Sequence, residues 1–189
     1  MATPEVRPDT TLRLERTIAA PREKVFAAWT QAEAVVRWFA PGAAYQCAVP
    51  ALEARPGGVY RIQMVHSGGN VHFVGGVYRE VVAPSRLVFT WGWEKNPERG
   101  ETLVTVELFE EGAGTRLVLT HELFPSIEVR DSHKAGWCGG LDQMVHLAGP
   151  QLDAARTTPV VRVQPGLAAV DQTAFRAEHR QKVVVILVE

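Results

Sequence analysis

From Tyr45 to Leu123 the chain repeats one pattern: a run of alternating apolar and polar residues, then a tight turn. The turns are Pro56-Gly57-Gly58, Ser67-Gly68-Gly69-Asn70, Ala83-Pro84-Ser85 and Glu111-Gly112-Ala113-Gly114. Connections this short join antiparallel neighbours, because a parallel pair needs a crossover of a dozen or more residues. With Leu12–Ala19 as a first strand, the pattern predicts one antiparallel sheet of about six or seven strands. Period-two alternation then sorts the faces. Tyr60, Ile62 and Met64 oppose Val59, Arg61 and Gln63; Leu87, Phe89 and Trp91 share a face; Leu117, Leu119 and His121 share another. Tyr45–Glu53 reads as a strand bent near Pro50, and Gly75-Gly76 inside Val71–Val82 permits a bulge or sharp coiling.

Helical spacing interrupts the strands at two places. After Ala20-Pro21, Val25, Phe26 and Trp29 recur three or four apart, and Ala32–Phe39 carries Val35, Val36 and Phe39 on one side. These predict two short helices. From Ser126 to about Leu147, Val129, His133, Trp137, Leu141 and Met144 form an apolar stripe joined by Gly136 and Gly140. Arg130, Asp131, Lys134 and Asp142 lie opposite. This predicts an amphipathic helix roughly 30 Å long, enough to cross a sheet. Ser126 suits its cap and Glu128 its first turn.

Composition narrows the function. A formal net charge of -1 and scattered basic residues give no electrostatic case for nucleic acid or an anionic membrane. No apolar run approaches the roughly 20 residues that span a bilayer. The start, MATPEVRPDTT, has no apolar targeting core, so a cytoplasmic protein is expected. Cys47 and Cys138 lack the number and spacing of a zinc site or a disulfide framework, and the six histidines show no tight ligand spacing. No cofactor or metal is expected. RPGGVYR and SGGN lack a phosphate-loop lysine and fit hairpin turns. The expected organisation is a leader over 1–11, a ligand-binding domain over 12–149, and an extension over 150–189. That extension ends in KVVVILVE, which reads as a strand that pairs within the chain or with a second copy in a homodimer.

The segments LERTIAAPREKVFAAWTQAEAVVRWFAP, RPGGVYRIQM, GVYREVVAPSRLVFTWGW, ETLVTVELFE, GTRLVLTHELF and GWCGGLDQMVHL, in this order, resemble the START-like helix-grip (SRPBCC) superfamily. The nearest branch is similar to the Aha-type family, homologues of an activator of a heat-shock chaperone ATPase. The resemblance covers about Thr11–Leu147. It implies an α+β helix-grip fold, a curved sheet around the last long helix, and an elongated apolar cavity between them. Superfamily members bind lipids, hormones or polyketides, and a minority catalyse cyclisation, dehydration or hydrolysis. The Aha-type branch has no universal catalytic motif, so no reaction is implied. The extension after Pro150 departs from the family pattern.

On these grounds the expected ligand-binding residues are Tyr60, Met64, Phe73, Phe89, Trp91, His121, His133, Trp137 and Leu141. Each has a plainer role in the core. Tyr78 and Trp93 are further candidates for the lining, and Trp29, Trp38 and Phe39 are expected to frame the opening. Phe73 shares a phase with Gly75 and Val77 unless a bulge resets it. Trp137 is either a core anchor or a wall of the cavity. For His121 and His133 three roles stay open: structural hydrogen bonding, contact with a ligand, and acid–base chemistry. The leading functional expectation is a non-enzymatic binding protein for a small hydrophobic or aromatic molecule. A polyketide cyclase-like or hydrolytic enzyme and a chaperone-interacting module are the alternatives.

Overall fold

The computed structural model describes residues 10–40, 42–96 and 100–147. The expected leader up to residue 9, the extension and the terminal strand pairing lie outside them.

The first strand, β1 (Leu12–Ile18), leads into two short helices, α1 (Arg22–Thr30) and α2 (Ala32–Trp38). Six strands follow: β2 (Tyr45–Leu52), β3 (Val59–His66), β4 (Val71–Val82), β5 (Arg86–Trp93), β6 (Thr102–Glu111) and β7 (Gly114–Glu122). The long helix α3 (Ile127–Leu147) closes the described chain. The seven strands form one sheet in the order β1-β7-β6-β5-β4-β3-β2. Every pairing is antiparallel, and β1 reaches the far side by pairing Leu12 with His121 and Ile18 with Thr115. This is the expected α+β helix-grip architecture.

Alternation sends one side of each strand into a common core. Leu12, Leu14, Ile18, Tyr60, Ile62, Met64, Leu87, Phe89, Trp91, Val104, Val106, Leu117 and Leu119 are all buried there with Trp137, Leu141 and Met144 of α3. The stripe read from the sequence is thus the gripped face of the helix. Ser126 Oγ stands 3.4 Å from the Val129 N–H, in capping position. Glu128 is held below the usual carboxylate range, first by its hydrogen bond with Ser126. Arg16, on the inner phase of β1, reaches Asp142 of α3 at 2.8 Å and ties sheet to helix near the edge.

Local irregularities shape the sheet, among them a register shift between Tyr78 and Glu80 in the β4–β5 pairing. At Gly76 an added Cβ would lie 2.0 Å from the Thr90 carbonyl oxygen, so β4 and β5 approach there at a distance only glycine allows. The freed contact is used: the Val77 N–H donates to Thr90 Oγ1 at 3.0 Å, and the Tyr60 hydroxyl donates to the Thr90 carbonyl at 2.8 Å. On the edge strand β2, the register breaks between Ala48 and Ala51, around Pro50.

Candidate functional site

Two histidines meet under α3, and each is fully engaged at its ring nitrogens. The Trp137 indole N–H donates to His121 Nδ1 at 3.0 Å. An indole nitrogen only donates, so Nδ1 must accept and the His121 proton sits on Nε2. His121 Nε2 then donates to Thr102 Oγ1, 2.7 Å away, and Thr102 Oγ1 donates to the Trp91 carbonyl at 3.1 Å. Four groups on four elements, α3, β7, β6 and β5, form one directed chain. His133 repeats the logic: its Nε2 accepts from the Trp93 indole at 2.9 Å, so its Nδ1 carries the proton toward the Val129 carbonyl at 2.8 Å.

Burial makes this neutral state firm for His121, which has no solvent exposure. Desolvation, then the neighbouring His133, pushes its pKa down to about 2. A group held neutral across the ordinary pH range has no proton to exchange near neutrality. The arrangement therefore supports structural hydrogen bonding at His121 rather than acid–base chemistry.

Aromatic rings fill the space beside this pair. Trp91 lies 4.9 Å from Trp137, 5.7 Å from Phe39 and 5.7 Å from His121, centroid to centroid. Trp29 lies 4.5 Å from Trp38 and 6.0 Å from Trp137. The Trp38 N–H donates to the Ala28 carbonyl at 2.8 Å and so binds α2 to α1.

A cavity opens on the other side of these rings. Its wall is Trp29 of α1, Val35 and Trp38 of α2, Phe39, Leu52 of β2, Tyr60 and Ile62 of β3, Tyr78 of β4 and Phe89 of β5. It lies between the short helices and the sheet. Its free volume is about 20 Å³, room for roughly one water-sized group. The elongated space implied by the family resemblance is, at this position, largely occupied by rings.

Of the nine expected ligand-binding residues, Tyr60 and Phe89 line this cavity. Met64, Trp91, His121, His133, Trp137 and Leu141 are buried in the same core but away from that wall. Phe73 stands apart. It pairs with Gln63 on the outer face, where the Arg61 guanidinium lies 3.8 Å from its ring centroid; Arg61 is itself paired with Glu94. Trp29, Trp38 and Phe39, expected at an opening, are buried and form the wall itself. Val35 and Leu52 were not expected there. The signal for the helical part was the aromatic density of FAAW and VVRWF.

The wall is chemically quiet, with one exception. Burial, then nearby Tyr78 and Glu101, raises the Tyr60 pKa, and burial raises that of Tyr78, so both phenols stay protonated. Outside the wall, burial pushes the Cys47 thiol up to about 12, away from the thiolate a nucleophile needs. Among the described residues no three of His, Cys, Asp and Glu converge as a metal requires. The exception is Trp29: its buried Nε1 has no hydrogen-bond partner among the described residues, and Trp91 Nε1 shares that condition.

Comparison with known proteins agrees with this architecture. No helix among the described residues is long and apolar enough to cross a membrane. No curated protein matches the chain. Among solved structures, a protein of Chromobacterium violaceum is 28% identical with a TM-score of 0.69, over 74% of this chain and 96% of that one. The AHSA1 protein of Silicibacter pomeroyi is also 28% identical, with a TM-score of 0.63 over 72% of this chain and 95% of its own. An AHSA1-like protein of Aeromonas hydrophila, at 22% identity and TM-score 0.64 over 79% and 99%, shares the fold. The family model described as Activator of Hsp90 ATPase homolog 1-like protein matches residues 19–149, which take in both short helices, β2 to β7 and α3. That span holds most of the sheet together with the long helix α3, and the chain belongs to the Activator of Hsp90 ATPase homolog 1-like family.

Proposed function

We propose that the chain binds a small apolar or aromatic molecule in the cavity between α1–α2 and the inner face of β2–β5. One observation carries this reading: six of the nine wall residues are aromatic, and none is charged. Such a wall offers a guest a large apolar contact area and several ring faces. With about 20 Å³ free, a guest enters by displacing rings rather than by filling a vacant space. The hydrogen bond from Trp38 to Ala28 ties α1 and α2 together on that side of the cavity. The neutral, fully bonded His121 favours binding over acid–base turnover at this core.

The test is a titration of the full chain with small neutral aromatics, followed through tryptophan fluorescence. Saturable quenching is expected, and Val35→Phe, which adds a ring where Val35 faces the cavity, is expected to abolish it. Absence of saturable binding across the panel, or binding indifferent to Val35→Phe in a folded variant, would overturn the reading.

A further inference from the structure

We propose that the Trp29 indole N–H is the specificity-determining group of this site, and that it selects a neutral guest carrying one hydrogen-bond acceptor on an apolar body. This rests on the cavity reading above. Trp29 is 4% exposed, lines the cavity, and its Nε1 is buried with no partner among the described residues. A buried donor left unpaired is unfavourable, and buried polar groups are nearly always satisfied. The neighbouring donors are already committed: Trp38 Nε1 to the Ala28 carbonyl and the Tyr60 hydroxyl to the Thr90 carbonyl. An ordered water needs two to four partners, which here would be the Tyr60 and Tyr78 hydroxyl groups beside Trp29. A guest needs only one acceptor to complete Trp29, while its remaining surface meets rings.

The absence of any charged residue from the wall sets the class further. A carboxylate would satisfy the indole but would be buried without a counter-charge, which is far more costly than the hydrogen bond it makes. Ketones, esters and ethers fit; acids do not.

Acetophenone, its hydrocarbon isostere α-methylstyrene, and benzoate separate the contributions. Binding of each is measured to the full chain and to a protein carrying 3-benzothienylalanine at position 29, which keeps the bicyclic ring and loses the N–H. Loss of the N–H is expected to weaken acetophenone by about fivefold to tenfold, the worth of a neutral hydrogen bond. The affinity of α-methylstyrene is expected to hold within about twofold, since it makes no such bond. Benzoate is expected not to bind. Trp29→Phe is the second variant: there the α-methylstyrene change reports the lost ring, and any further loss for acetophenone reports the N–H. An acetophenone-to-α-methylstyrene affinity ratio that is the same with and without the N–H would overturn this proposal and leave the cavity reading standing. Failure of both neutral probes to bind would remove the two together.

Discussion

Trp137 on the gripping helix and His121 on the sheet are joined by a 3.0 Å hydrogen bond, with the indole as donor. The bond fixes the His121 tautomer and, through it, the direction of the chain to Thr102 and Trp91. It also means that helix and sheet recognise each other through a polar contact inside an apolar core. Such contacts are unforgiving, because removal of one partner strands the other.

Thr102→Val is the cleanest probe of that chain. Valine matches the shape of threonine but leaves His121 Nε2–H and the Trp91 carbonyl without the hydroxyl between them. A loss of about 1–3 kcal/mol in unfolding free energy is expected. Trp137→Phe should cost at least as much, and the two losses should not add, since both act on His121. Urea unfolding of both single variants and the double variant measures this. Strict additivity would show that the chain is not one unit.

Acid should destabilise the protein through His121. Its folded pKa is about 2, against an ordinary value near 6.5. Below pH 6.5 the unfolded chain therefore binds a proton that the folded chain refuses. The contribution is fully present above about pH 6.5 and is lost as pH falls toward 2, at up to about 1.4 kcal/mol per pH unit. Urea unfolding of wild type and His121→Gln from pH 7 to pH 5 should show a steeper decline for wild type. The imidazole NMR signals of His121 should stay in the Nε2–H form throughout. A folded-state titration near pH 6.5 would contradict the burial argument.

Gly136 and Gly140 of α3, on either side of Trp137, should respond differently to alanine. An added Cβ at Gly136 meets no atom within 4 Å, whereas at Gly140 it lies 3.3 Å from the Trp38 carbonyl oxygen. Gly136→Ala should stabilise by about 0.5–1 kcal/mol through helix propensity. At Gly140 the same gain is offset by pressure on the end of α2, and no net gain is expected. Thermal unfolding of the pair reads the difference.

Gly76→Ala should be among the most damaging single changes. The new Cβ would lie 2.0 Å from the Thr90 carbonyl oxygen, so backbone must move. The Tyr60 and Val77 hydrogen bonds to Thr90 would go with it. A loss of about 3 kcal/mol or more is expected in denaturant unfolding.

Much of this fold was legible because it depends on local periods. The bounds of β4 and β5 follow from alternation and turn residues alone, and the stripe from His133 to Met144 marks the buried side of α3 without reference to any partner. The phase of Phe73 with Gly75 and Val77 was also visible, and it agrees with the outer position of that ring. What could not be read was the convergence of separate elements. Leu52 and Val35 join the cavity wall only because of the angle at which α1 and α2 sit on the sheet, and no spacing in the sequence encodes that angle. The unpaired Trp29 donor is hidden for the same reason: an indole N–H is orphaned by what surrounds it, not by its neighbours in the chain.

The break in β2 around Pro50 bears on how molecules of this kind coexist at high concentration. A strand arriving from another molecule could zip along this rim only by keeping step with it, and the rim changes step midway. The change of step around Pro50 thus blunts this rim against fibrous self-assembly.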